Sequence, residues 1–91
     1  MRKFMIEREL PGIGSARRQE LEAAAEKSNA AVRELGPDIQ WIESYVADDR
    51  TYCVYLARDQ TLLQRHTEIS GFPADRIVEI KTKIDPSSAR E

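Results

Sequence analysis

Hydrophobic and polar positions alternate at the start of the chain, with Phe4 and Ile6 on one side and Met5, Glu7 and Glu9 on the other. That period of two predicts a strand over 3–10. Pro11-Gly12-Ile13-Gly14 interrupts it. From Ser15, a candidate N-cap, no Gly or Pro occurs until Gly36, and Leu21, Ala24, Ala25, Ser28, Ala31 with Val32, and Leu35 recur at helical spacing. A long helix follows, whose alanine-rich stripe should pack closely against a sheet. Gly36-Pro37-Asp38 stops it.

A second strand is predicted over 39–47, where Ile39, Trp41, Glu43 and Tyr45 alternate with Gln40, Ile42, Ser44 and Val46. Asp48-Asp49 joins it as a turn to a third strand over 51–57, rich in Tyr, Val and Leu. A second helix, capped by Asp59, runs to Ser70 with Leu62, Leu63, His66 and Ile69 on one side; Gly71 ends it and Phe72-Pro73 blocks its continuation. A last strand is expected over 76–84. The order β-α-β-β-α-β is that of an α+β, ferredoxin-like domain over 1–86: a four-stranded antiparallel sheet, both helices on one face, and the first strand between the third and fourth. Residues 87–91 form a polar tail.

With one face covered by helices, strand alternation assigns Met5, Glu7, Trp41, Glu43, Tyr45, Cys53, Tyr55, Glu79 and Lys81 to the other. Phe4, Ile6, Ile42, Val46, Val54, Leu56, Val78 and Ile80 go to the helix side. An uncovered face bearing Met5, Trp41, Tyr45 and Tyr55 marks an interface. The simplest partner is a second copy, the two sheets closing face to face as a homodimer. Glu7, Glu43 and Glu79 either lie at strand ends, paired with Lys81 or Arg8, or converge on a cation or act as a base. His66 is either a hydrogen-bonded packing residue or a ligand or proton carrier facing a cleft. Cys53 reads as a small buried residue or a thiol donor. One His and one Cys fit no zinc spacing, so a metal site would have to be assembled by folding, across subunits if need be. Tyr45, Tyr52 and Tyr55 fit either a packed interior or a stacking platform for a planar ligand.

Composition narrows the setting. Over 91 residues, 14 Lys and Arg face 16 Asp and Glu, a net charge of −2 that speaks against nucleic acid as partner. No apolar run is long enough to span a bilayer, and Glu7 and Glu9 stand where a secretory signal needs hydrocarbon. The single cysteine supports no internal disulfide, so a reducing cytoplasm is the expected compartment.

Several runs taken together resemble a bacterial family of small domains of unknown function that includes a nickel-binding protein. They are Glu7-Arg8-Glu9-Leu10-Pro11-Gly12, Gly36-Pro37-Asp38-Ile39-Gln40-Trp41-Ile42 with Ser44-Tyr45-Val46, Thr51-Tyr52-Cys53-Val54-Tyr55, and Gly71-Phe72-Pro73-Ala74-Asp75-Arg76 before Ile84-Asp85-Pro86. The resemblance implies a ferredoxin-like protomer dimerising through its sheet into an α/β barrel, with nickel bound in at least one member of the family. His66 corresponds to a histidine in the helix before the Gly-Phe-Pro turn. At position 43, where relatives carry His in a Trp-x-His-Ser-Tyr run, this chain has Glu43, which moves the donor set towards harder cations.

Three functions compete. The first is a dimer binding nickel or another divalent metal through His66, Glu43, Glu7 and Cys53. The second is a small-molecule or heme-binding, or monooxygenase-like, α/β barrel whose cleft between helices and sheet is lined by His66, Tyr52 and Ser44. The third is an interaction module that depends on Trp41 and Tyr45. The residues fit an enzyme and a binding domain alike.

Overall fold

Strand β1 (Arg2–Glu9) takes the centre of the sheet because its side chains can serve two layers at once, alternating between buried and half-buried along its length. The computed structural model describes residues 1–89. After β1 come a 3-10 turn at Ile13–Ser15, helix α1 (Arg18–Leu35), β2 (Ile39–Val46), β3 (Arg50–Ala57), α2 (Gln60–Ser70), β4 (Arg76–Ile80) and a 3-10 turn at Pro86–Ala89. The sheet order is β2-β3-β1-β4, with each neighbouring pair antiparallel. This is the ferredoxin-like arrangement, with β1 between β3 and β4 as expected.

Two boundaries differ from the sequence reading. Ser15 does not cap α1. The backbone N–H of Gly14 donates to Asp48 O at 2.9 Å and that of Ser15 to Gly12 O at 3.0 Å, which folds this stretch into the 3-10 turn and delays the helix to Arg18. There the Glu20 carboxylate accepts from the Arg17 N–H at 2.8 Å, taking up one of the helix's free donors. Strand β4 ends at Ile80, not at 84, because Ile80 pairs with Lys3 and the chain has almost no β1 left to pair beyond it. Of the 87–91 tail, Ser87 and Ser88 hydrogen-bond Asp85; residues 90 and 91 lie outside the described residues.

The larger correction concerns which residues share a face. Residues directly opposite in an antiparallel pair point to the same side. Tyr55 is opposite Phe4 and Cys53 opposite Ile6, so both belong to the helix side, not to the open one. Glu79 is also opposite Phe4, which moves it there, while Val78 opposite Met5 and Ile80 opposite Lys3 move to the open side. Lys81 lies beyond β4 and pairs with Glu79 at 3.3 Å. In β2 a bulge intervenes: Trp41 is opposite Tyr55, but Glu43 is opposite Val54, leaving Ile42 as the extra residue. A bulge reverses the alternation that follows. Trp41 therefore turns towards the helices, while Glu43 and Tyr45 stay on the open side.

The core is Phe4, Ile6, Ile39, Tyr55 and Ala57 from the sheet, closed by Leu63 from α2. Leu63, His66 and Ser70 are spaced three and four apart and are all buried, which defines the face α2 sets against the sheet. Gly71, at φ 80, turns the chain out of that helix in the left-handed conformation.

Candidate functional site

Helix α1 turns Leu21, Ala24, Ala25 and Ser28 towards the sheet, and these residues roof a cavity of about 310 Å³. Its floor is built from β2 and β3 by Trp41, Ser44, Thr51, Cys53 and Tyr55. The alanine-rich stripe was expected to pack closely on the sheet; instead it leaves room. An alanine side chain ends at Cβ, so Ala24 and Ala25 do not reach across the gap. Burial of the helix is confined to Ser28 and Ala31 further along. Leu21 and Val46, 36% and 47% exposed, belong to the same wall, so the cavity opens to solvent beside them.

The inner end is polar. Arg8, on the helix-facing side of β1, is only 2% exposed. Its Nη1 donates to Pro73 O at 2.7 Å and, at the limit of a hydrogen bond, to Thr67 Oγ1 at 3.5 Å; its Nη2 donates to the Tyr55 hydroxyl at 3.4 Å. The guanidinium carbon lies 5.6 Å from the centre of the Phe72 ring, a cation–π contact. Tyr55 Oη is 3.3 Å from Ser28 Oγ, which in turn is 3.1 Å from His66 Nε2. Burial raises the Tyr55 pKa, keeping it a neutral phenol. Burial, and then the Arg8 charge, press the His66 pKa down to about 4, so its imidazole is neutral at physiological pH. His66 Nδ1 is buried without a hydrogen-bond partner among the described residues.

The four expected metal ligands are not brought together. His66 lies under α2, fully buried, and Cys53 is on the helix side of β3; Glu7 and Glu43 are on the open side of the sheet. Glu7 faces Arg76 at 3.7 Å, and Glu43 accepts a hydrogen bond from Tyr45. No three His, Cys, Asp or Glu side chains gather as a metal site among the described residues. His66 is also a neighbour of the Arg8 guanidinium, whose charge opposes a second cation. This donor set does not fit nickel within one protomer. The heme reading loses its support too, because His66 stands behind Tyr55 and Ser28 and does not line the cavity. Of the polar lining expected for a cleft, Ser44 is in the wall, while Tyr52, opposite Glu7, points to the open face.

Trp41 and Tyr55, expected at an interface, are instead part of the cavity wall. Met5 and Tyr45 remain on the open face. Arg8 entered the sequence reading only as an ion-pair partner for the strand glutamates. Its place in the Phe4, Ile6, Arg8 alternation was the signal that it points inward.

Residues 4–80 match the family model described as nickel responsive protein SCO4226-like. The chain belongs to this family. The crystal structure of SCO4226 from Streptomyces coelicolor A3(2) superposes with a TM-score of 0.75, covering 90% of this chain and 99% of that one at 20% sequence identity. At that identity the likeness establishes the shared fold. A search among curated proteins finds no match. Among the described residues no helix is long and apolar enough to cross a membrane.

Proposed function

We propose that the protein is a ligand-binding member of the nickel-responsive family, holding a small organic molecule between α1 and the sheet and working in the cytoplasm as a sheet-to-sheet homodimer. The observation that carries this reading is the cavity itself: hydrocarbon walls, an open end, and a few convergent polar groups at its base. At about 310 Å³ it stands at the lower end of the roughly 300–1,000 Å³ of small-molecule sites. For dimerisation, the support is the apolar content of the open face, where Met5, Tyr45, Tyr52, Val54, Leu56 and Val78 lie together.

Binding is favoured over chemistry by the state of His66. A Ser28 Oγ to His66 Nε2 distance of 3.1 Å is that of a nucleophile and its base. Yet among the described residues Nδ1 has no carboxylate to stabilise an imidazolium, and an imidazole held at about pKa 4 is a poor acceptor for a serine proton. Nickel enters this reading as the signal to which the family responds. Direct nickel binding is a second reading, favoured by the position of Glu7 and Glu43 on the face that dimerisation would cover.

The test is an amide NMR titration with 1-hexanol, a neutral probe small enough for the cavity. Shifts should cluster at Ala24, Ala25, Thr51 and the Trp41 indole N–H. Shifts confined to the open face, at Val54 and Val78, or none at all, would reject the reading.

A further inference from the structure

Every ion pair among the described residues is made by an exposed cation: Arg2, Arg17, Arg58, Arg76, Lys81 and Lys83 each reach a carboxylate. The most deeply buried cation has none. Among the described residues Arg8 is satisfied only by neutral oxygens, those of Pro73, Thr67 and Tyr55, and by the face of Phe72. A guanidinium cannot shed its charge near neutral pH, and a buried charge without a counter-ion is costly. It also lines the cavity, together with a hydroxyl from Ser28 and one from Tyr55. The protein thus holds a fixed, buried positive charge in the wall of an apolar chamber. That is half of an ion pair, with space beside it for the other half.

We propose that the cavity is a site for a small apolar monocarboxylate, its carboxylate seated on the Arg8 guanidinium and its hydrocarbon body lying between Ala24, Ala25 and Leu21 of α1 and Trp41 of β2. The inference rests on the ligand-binding reading above and adds the class of ligand. A planar carboxylate matches the fork of a guanidinium, and the neutral hydroxyls of Ser28 and Tyr55 can donate to its oxygens. A free phosphate or sulfate ion fits the chamber poorly, because beyond the few hydroxyls the walls are largely hydrocarbon and most of the space would stay unfilled. A neutral alcohol of equal length fills the same volume but leaves the charge unanswered. The carboxylate should therefore win by at least about tenfold, the usual worth of a hydrogen-bonded charge.

Octanoate and octanamide, matched in length and differing in charge, test this on the wild-type protein. Trp41, the single tryptophan, lines the cavity and reports occupancy by its emission. Octanoate should change that emission saturably and bind at least about tenfold more tightly than octanamide. Two variants localise the effect. Arg8→Met should bring the two affinities together. Ala25→Leu, which fills the chamber with hydrocarbon, should remove the Trp41 response to both. Equal affinities in the wild type would overturn the carboxylate assignment while leaving the cavity in use. No response to either compound would overturn the ligand-binding reading as well. Unchanged octanoate affinity in a folded Ala25→Leu protein would place the binding elsewhere and end the proposal. Should Arg8→Met fail to fold, the wild-type comparison and Ala25→Leu still decide the matter.

Discussion

Ser28 on α1 and His66 on α2 meet through their side chains at 3.1 Å, both buried, and this contact ties the two helices together above β3. Tyr55 reaches the same point from the sheet, 3.4 Å from His66 Nε2, its ring set edge-on to the imidazole at 62°. Three elements, α1, α2 and β3, are thereby linked through one polar knot in an otherwise apolar core. Burial favours the neutral imidazole in this knot, and that gives the protein a pH dependence.

His66 titrates near 6.5 when unfolded and at about 4 in the folded protein. Between those values the unfolded chain takes up a proton that the folded chain does not. Stability from this group is therefore complete above about pH 6.5 and is lost progressively as pH falls towards 4, by about 2 kcal/mol once pH reaches about 5. Urea unfolding of the wild type at about pH 7.5 and about pH 5 should show the decline. In His66→Gln that part of the slope should vanish; an identical slope in the variant would contradict the assignment.

Gly14 packs its backbone against the β2–β3 turn. A Cβ added there would lie 2.7 Å from both Ala47 O and Asp48 Cα, and both are backbone atoms that cannot swing aside. Gly14→Ala should lower stability by about 1–3 kcal/mol and disturb the cavity wall, to which the neighbouring Ile13 contributes. Thermal unfolding measures it. A melting temperature equal to the wild type's would mean that the turn yields more easily than its contacts imply.

The face assignments make the dimer test selective. Val78→Glu places a charge on the open face, in edge strand β4 beside Met5 of the central strand, and should convert a dimer to monomers in sedimentation, with the circular dichroism spectrum preserved. Trp41→Phe, on the helix side, should leave the sedimentation coefficient unchanged. A wild-type protein that sediments as a monomer at every concentration would refute the interface.

Nickel titration separates the family's response from the metal's coordination. Calorimetry with nickel chloride should give the same heats for the wild type and for His66→Gln, because the buried imidazole is engaged by Ser28 and sits beside Arg8. Saturable binding that disappears in the folded variant would restore His66 as a ligand.

The sequence by itself determined the architecture. Phe4 and Ile6 alternate as a strand must, the stripe from Leu21 to Leu35 repeats as a helix must, and Gly36 and Gly71 sit where helices end. Those are local relations, set by backbone geometry within a few residues. Family membership was legible as well, because it resides in short runs of neighbouring residues. Tertiary structure alone decided what faces what. Alternation says that Tyr55 and Val54 point opposite ways; only the pairing of Phe4 with Tyr55 says which of them meets the helices. The bulge at Ile42 turns Trp41 inward while keeping Glu43 outward, and no strand period anticipates that inserted residue. The same holds for the chamber. Alanines on a helix are consistent with close packing or with empty space, and the outcome depends on how far the sheet lies beneath them. Arg8 became the centre of the site for a similar reason: its charge is written in the sequence, but its missing counter-ion is a property of everything folded around it.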